Sequence, residues 1–227
     1  MVLSAKNEKK PVPPSQLVHF ESLSTATLSD AMDELGISCV VSSVFSQRLD
    51  QGRIAGYAMT AKFARISHDE AAYRYGGGVG RPLEGVLQAM APRDIVVLDL
   101  GGASDASAWG GLASRLATSK GVRGAVINGT CRDVEEIRGL GFPVWATGTC
   151  PRRSRNEFTF GTLREPLVID GVEIATGDII VADATGVVRV PIEKATDVYN
   201  TALSIATAEQ KVLGDIVNGN GVDWDQV

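Results

Sequence analysis

The sequence has little of what most metal, redox and nucleotide sites are built from. There are two histidines and three cysteines in 227 residues. Cys39, Cys131 and Cys150 are odd in number and widely spaced. That excludes a disulfide framework and a zinc pattern and reads as reduced thiols. No apolar run approaches the roughly 18–20 residues of a membrane-spanning helix. The start, MVLSAKNEKKPVPP, has no apolar stretch of a secretory signal, so a cytoplasmic location is expected. Basic residues number 22 against 27 acidic, for a net charge of −5, and no long basic run occurs. No nucleic-acid partner is expected from such a balance. A phosphate-loop Lys-Ser/Thr is missing, as is a Rossmann-type glycine loop with its later acid. No internal repeat is visible. What is present is a hydrophobic fraction of 44%, enough for the core of one large domain.

The most informative stretch is Trp109 to Glu136, WGGLASRLATSKGVRGAVINGTCRDVEE. Gly110 and Gly111 permit a tight turn. Leu112, Leu116 and Ala117 recur at helical spacing, which predicts a helix with Arg115 and Lys120 facing water. Gly121 is placed to end it. Ala125-Val126-Ile127 reads as a strand buried on both faces. A right-handed crossover would return this strand parallel to the preceding one, bringing its C-terminal end beside the helix start. Ligands of open α/β sheets gather at that edge. The helix start offers unpaired N–H groups to a carboxylate or phosphate. Arg132 would grip an anion there as a planar fork of donors. Asp133 would hold a hard divalent cation that keeps several waters. The bland alternative is that Arg132-Asp133 is a solvated pair or a helix start, with Glu136 in a capping role.

Gly111, twenty intervening residues, Arg132-Asp133 and then Glu136 after two more resemble the G-x20-R-D-x2-E signature of the RraA-like family. LSDAMDELGI (28–37), APRDIVVLDLGG (91–102) and GVEIATGDIIVADATGVVRVP (171–191) also resemble family blocks, so the likeness extends over roughly residues 20–210. That family includes class II pyruvate aldolases acting on 4-hydroxy-4-methyl-2-oxoglutarate and 4-carboxy-4-hydroxy-2-oxoadipate, and regulators of ribonuclease E. The resemblance implies a layered α/β sandwich with a mixed central sheet, swivelling-domain-like, with helices on its faces. It implies a lyase that releases pyruvate from a 2-keto acid through a metal-stabilised enolate, by aldol cleavage or by oxaloacetate decarboxylation. By the same resemblance Asp133 is the protein ligand to Mg²⁺ or Mn²⁺, and Arg132 contacts the keto acid and its enolate. The backbone at Gly110, Gly111, Leu112 and Ala113 binds substrate, with the Leu112 and Ala113 N–H groups on the pyruvate carboxylate. Glu136 organises metal-bound water. Glu209 is the nearest match to an acid that some members contribute from a neighbouring subunit. A homotrimer or homohexamer is implied. Several aldolases of the family carry an acid where this chain has Gly111. The alternative is a non-enzymatic regulator that binds ribonuclease E. A methyltransferase is discounted, because no nucleotide loop is present.

The remaining chain divides into an arm over 1–20, a domain over 21–213 and a tail over 214–227. Ser24–Leu35 reads as a helix and Gly52–Arg65 as one or two strands. His68-Asp69-Glu70 lacks the spacing that converges metal ligands on one helix face. Gly76-Gly77-Gly78-x-Gly80 reads as a lid or subunit-contact loop. Leu83–Met90 is predicted to be a helix and Ile95–Leu100 a buried strand. ASDASA (103–108) follows as a loop, in which Asp105 is a candidate for a metal-bound water or a simple turn residue. Val134–Leu140 is predicted helical and Phe142–Thr147 a strand. Arg152, Arg153 and Arg155 are candidates for the mouth of an anionic-substrate site, or for a solvated loop. Leu167–Ile174, Asp178–Ala182 and Val187–Val190 read as strands, the last two joined at Asp183–Gly186. Glu193–Leu213 is a long helix, and Trp224 is a candidate for subunit packing.

Overall fold

The computed structural model describes residues 13–46, 52–67, 69–70, 82–155, 157–219 and 221. In chain order the elements are α1 (Pro14–Ser22), α2 (Thr25–Glu34), β1 (Val40–Val41), β2 (Phe45–Ser46), β3 (Ile54–Arg65), α3 (Glu84–Ala89), β4 (Asp94–Trp109) and α4 (Gly111–Ser119). They continue with β5 (Gly124–Cys131), α5 (Val134–Leu140), β6 (Val144–Thr149), β7 (Phe158–Leu163), β8 (Leu167–Ile169), β9 (Val172–Ile174), β10 (Ile179–Ala182), β11 (Val187–Val190) and α6 (Ala195–Val217).

Nine of the strands form one mixed sheet in the order β1-β11-β10-β3-β4-β5-β6-β2, with β7 pairing β3 beyond β10. The β3-β4-β5-β6 part is parallel and the pairs on either side are antiparallel. Alternation along each strand sets the layers. Val96, Leu98 and Ile127 point into a core beneath α3, α4 and α5. Ile179, Val181 and Val188 point into a second core beneath α1, α2 and α6. Their neighbours Ile95, Val97, Val126 and Ile180 meet the β8–β9 hairpin through Leu167, Ile169 and Ile174. Registers across the sheet put both helical cores on one face. The expected layered α/β sandwich is therefore present, but its helices cover one face and a small β-hairpin covers the other.

Several local expectations change. The arm expected to residue 20 gives way to α1 at Pro14, because Leu17 and Phe20 are buried against the second core. The predicted strand Leu167–Ile174 is a hairpin, since Asp170 and Gly171 both take left-handed backbone that turns the chain. The predicted loop ASDASA is part of β4, which continues to Trp109 through three register shifts against β5. The last helix passes Gly214 and ends at Val217, so the tail begins later. Residues 1–12, His68, Gly76–Gly80 and Trp224 lie outside the described residues. No helix among the described residues is long and apolar enough to cross a membrane.

Candidate active site at the start of helix α4

The parallel crossover works as the pattern predicts. β4 ends at Trp109, Gly110 supplies an extended residue, and α4 begins at Gly111. β5 returns beside β4, with Cys131 opposite Trp109, and the Arg132 N–H donates to the Trp109 carbonyl at 3.0 Å. Arg132 and Asp133 are thereby fixed against the helix start.

Helix α4 turns differently from the predicted stripe. Leu112 is 83% exposed and Leu116 also reaches solvent, while Ala113, Ser114 and Ala117 face the sheet. Small residues let the crossover helix lie close to the strands, and Trp109 fills the remaining space with its Nε1–H donating to Ser114 Oγ at 2.9 Å. Lys120 does not simply face water. Its Nζ donates to the carbonyls of Leu87 and Gln88 at 2.8 and 2.9 Å, closing the end of α3.

Asp133 occupies the residue before α5, yet its side chain does not cap that helix. Its backbone is left-handed (φ 55°), an unusual state for a residue other than glycine. This turns the carboxylate back toward α4. Its Oδ2 accepts from the Gly111 N–H at 3.1 Å and lies 3.4 Å from Arg132 Nε. Arg132 and Asp133 side chains are each 38% exposed.

Glu136 lies one turn further along α5. Its Oε1 accepts from Arg115 Nε at 2.6 Å. A β-carbon at Gly111 would collide with the Glu136 carboxylate, and one at Gly110 would sit 2.7 Å from Asp133 Oδ2. The two glycines are thus needed for close approach of two carboxylates. Gly111, read as a departure at a position where an acid is common, leaves the space that Glu136 fills.

Arg132 and Asp133 open into a cleft of about 550 Å³, whereas Glu136 and Arg115 stand behind the Gly111 turn and do not line it. Gly110, Leu112, Ala113, Arg132 and Asp133 line one side. Pro82, Leu83 and Leu87 make an apolar wall, and Arg153 and Arg155 stand at another side. The Arg153 segment is stitched to β4: Ser107 N–H donates to the Arg152 carbonyl at 2.8 Å and Ser154 N–H to the Ser107 carbonyl at 2.9 Å. Arg152 does not line the cleft and instead pairs with Glu157. Asp105 is held by both ends of the Arg65 guanidinium, outside the cleft lining. That hydrogen bonding keeps its carboxyl below the usual carboxylate range. Glu209 lies on α6, away from the cleft lining of this chain. Residue spacing did not reveal the wall from α3 or the Arg115–Glu136 brace, since both depend on packing between distant segments.

The donor set can be tested against a divalent cation. No group of three His, Cys, Asp or Glu side chains is suited to a metal among the described residues. One half-exposed carboxylate facing a roomy cleft suits Mg²⁺ or Mn²⁺, which take one or two carboxylates and complete their shells with water and substrate oxygens. It does not suit a closed, all-protein metal cage. Beside the site, burial pushes the Cys131 thiol up to about 11, so it is an inert core group.

Comparison with known proteins places this architecture. A profile of the RraA-like family, described as Aldolase/RraA, matches residues 25–189. The chain belongs to the RraA-like family. This RraA-like chain is 29% identical to Protein DlpA of Legionella pneumophila over 211 residues, which is 92% of the chain but 33% of DlpA. It is 33% identical over 106 residues to 4-hydroxy-4-methyl-2-oxoglutarate aldolase of Thermus thermophilus, covering 47% of the chain and 64% of that protein. The chain thus spans a third of DlpA and less than two thirds of that aldolase. Among solved structures it is similar to Streptomyces coelicolor RraAS2, described as an unusual member of the RNase ES inhibitor RraA protein family. The TM-score is 0.77 at 28% identity, covering 88% of this chain and 96% of RraAS2.

Proposed function

We propose that this RraA-like chain is a divalent-metal-dependent lyase that breaks a C–C bond of a 2-keto acid and releases pyruvate. The reaction is an aldol cleavage of the 4-hydroxy-4-methyl-2-oxoglutarate type, with oxaloacetate decarboxylation as the related step. The observation that carries this reading is Asp133, held in left-handed backbone beside Arg132 at the start of α4 and open to the cleft. Likeness to the Thermus aldolase supports it.

Each residue has a task. The N–H groups of Leu112 and Ala113, in the first turn of α4, have no carbonyl one turn back and hold the substrate carboxylate. Arg132 donates to the keto oxygen and to the oxyanion that forms there as the C–C electron pair arrives. Asp133 holds Mg²⁺ or Mn²⁺, which supplies Lewis-acid withdrawal at the keto oxygen when bound. Glu136, oriented by Arg115, orders the water that takes the 4-hydroxyl proton as the C3–C4 bond breaks and returns a proton to C3 of the enolate. Pro82, Leu83 and Leu87 limit bulk water on the opposite side. Among the described residues no lysine lines the cleft, which supports an enolate route over a Schiff base: Lys62 pairs with Asp99, Lys120 closes α3, and Lys194 pairs with Asp197. Assembly into a trimer or hexamer, which would bring Glu209 to a neighbouring cleft, belongs to the same proposal.

The test is pyruvate release, coupled to lactate dehydrogenase, from oxaloacetate and 4-hydroxy-4-methyl-2-oxoglutarate, with Mg²⁺, with Mn²⁺ and with EDTA. Turnover that EDTA abolishes and either cation restores is expected. Absence of pyruvate from both substrates, or turnover indifferent to EDTA, removes the reading. Likeness to RraAS2 supports a second reading, a regulator that binds ribonuclease E. Capture of that enzyme by a chain devoid of lyase activity would favour it.

A further inference from the structure

Helix α3 is too short to hold itself. It has six residues, and a helix of that length is marginal in water unless other segments fix it. Its last turn carries no basic residue and no glycine closes it; Met90, the residue after it, is extended. The last carbonyls of α3 are therefore orphaned within the helix. Two cations from distant segments take them. Lys120 Nζ donates to the Leu87 and Gln88 carbonyls at 2.8 and 2.9 Å and reaches that of Met90 at 3.5 Å. Arg164 is in left-handed backbone (φ 62°), and its N–H donates to the Thr60 carbonyl at 2.8 Å. From there its guanidinium donates to the Ala89 carbonyl at 3.4 Å. The carbonyls of residues 87–90 thus all end on side chains brought from elsewhere. Among the described residues no acid pairs with Lys120, so its charge is met by the negative end of α3.

Lys120 is also the residue that closes α4, whose other end is the proposed substrate-binding start. Beside it, the Arg93 N–H donates to the Gly121 carbonyl at 2.8 Å, so the chain leaving α3 is fastened to the far end of α4 twice over. The link to the cleft runs through one residue. Lys120 holds the Leu87 carbonyl, while Leu87 and Leu83 form the apolar wall. Neither Lys120 nor Arg164 lines the cleft itself.

We propose that Lys120, seconded by Arg164, is a positioning residue for substrate binding: it fixes the α3 wall at a set distance from Arg132 and Asp133. The lyase reading supplies the identity of the ligand, and the inference rests on it to that extent. Helix α4 then acts as a bar, with anion-binding N–H groups at one end and the support of the opposite wall at the other. The breaking bond is handled by Arg132 and Asp133, so a displaced wall weakens binding of substrate and transition state alike. That pattern raises KM far more than it lowers kcat.

The experiment compares the wild type, Lys120→Met, the charge-keeping Lys120→Arg and Arg164→Met. Two quantities are read: kcat and KM for pyruvate release from the keto acid that the wild type turns over faster, and hydrogen exchange of backbone amides by mass spectrometry. Lys120→Met is expected to speed exchange in α3 about tenfold, with β4 and β5 unchanged. It should raise KM about tenfold and leave kcat within about twofold. Lys120→Arg should restore most of both. Arg164→Met, which loses a single long bond, should raise KM about twofold. Faster α3 exchange with KM unaltered, a fall in kcat at constant KM, or α3 exchange indifferent to Lys120→Met overturns the inference. If Lys120→Met unfolds, seen as faster exchange in β4 and β5 as well, Arg164→Met decides: its KM must rise with its α3 exchange, and an unmoved KM overturns the inference. The two readings fail separately. A wild type that releases no pyruvate loses the lyase reading, and the dissociation constant of pyruvate in Mg²⁺, from calorimetry, then replaces KM: unless Lys120→Met weakens it, the positioning role falls too. A protein that releases pyruvate with the same KM in Lys120→Met loses only the positioning role.

Discussion

Asp133 and Asp178 stand in the two halves of one sheet and live in opposite circumstances. Asp178, just before β10 in the antiparallel half, is fully buried. It accepts from Arg189 Nε at 2.7 Å, from Ala175 N–H at 2.8 Å and from Ile192 N–H at 3.2 Å. Asp183, at the turn after β10, is similarly enclosed by Thr25, Thr185 and Arg53. Asp133, after β5 in the parallel half, sits in strained backbone, half exposed, with one N–H and one guanidinium beside it. Saturated acids lock the antiparallel half together. An under-coordinated acid, held in place by unusual backbone, has capacity left for a ligand. The fold spends its polar interactions on rigidity at Asp178 and Asp183 and leaves capacity open at Asp133.

The sharpest way to break this contrast is Asp133→Asn. Asparagine tolerates left-handed backbone, so folding stability should change by less than about 0.5 kcal/mol. Pyruvate release should fall by ~10³–10⁴, roughly 4–5.5 kcal/mol in the barrier. Melting curves and the coupled assay together check both halves of that statement. Asp178→Ala should do the reverse. It strands the Arg189 guanidinium, which is nearly buried, and should destabilise the fold by about 3–5 kcal/mol in urea titrations. Turnover per folded molecule should be unaltered. Arg132→Met should lower kcat/KM by ~10²–10³ with little change in unfolding.

Asp183→Asn should cost about 1.5–3 kcal/mol, as expected for hydrogen bonds to a charged acceptor. Burial pushes the Asp183 carboxyl up, but donors from Thr25, Thr185 and Arg53 outweigh it and hold it below its usual value. Its stabilisation is therefore complete above the unfolded value of about 3.9 and is lost as pH falls through the lower folded value. Acid titration of stability should be shallower in the variant, and an identical acid limb would refute this assignment. The smallest effect is expected at Gly111→Ala. Its β-carbon displaces the Glu136 carboxylate, a flexible group, so kcat/KM should drop by ~10–10² while the fold stands.

The parallel half was the more legible in the sequence. Gly110-Gly111, the apolar strand at 125–127 and Arg132-Asp133 are close in the chain, and a βαβ unit has a fixed hand, so their meeting follows from local rules. The antiparallel half was read as strands and a hairpin, but its polar lock was not. Asp178 meeting Arg189 and Ile192 depends on how β10 and β11 pair and where the chain turns next. Arg153 and Arg155 were legible as a cluster but not as separable from Arg152, because only the bridge to Ser107 decides which of them faces the cleft.

By itself, the sequence determined the order of elements, the crossover, the glycine breaks and the group of residues that would meet at one sheet edge. These follow from backbone preferences and apolar periodicity, which act over a few residues. Only the tertiary structure decided that Leu112 faces the cleft while Ala113 and Ala117 face the sheet. It alone put Glu136 into the space above Gly111, gave Lys120 to α3 and closed the cleft with Leu83 and Leu87. Those outcomes rest on close packing between segments far apart in the chain, where side-chain volume rather than local propensity selects the arrangement.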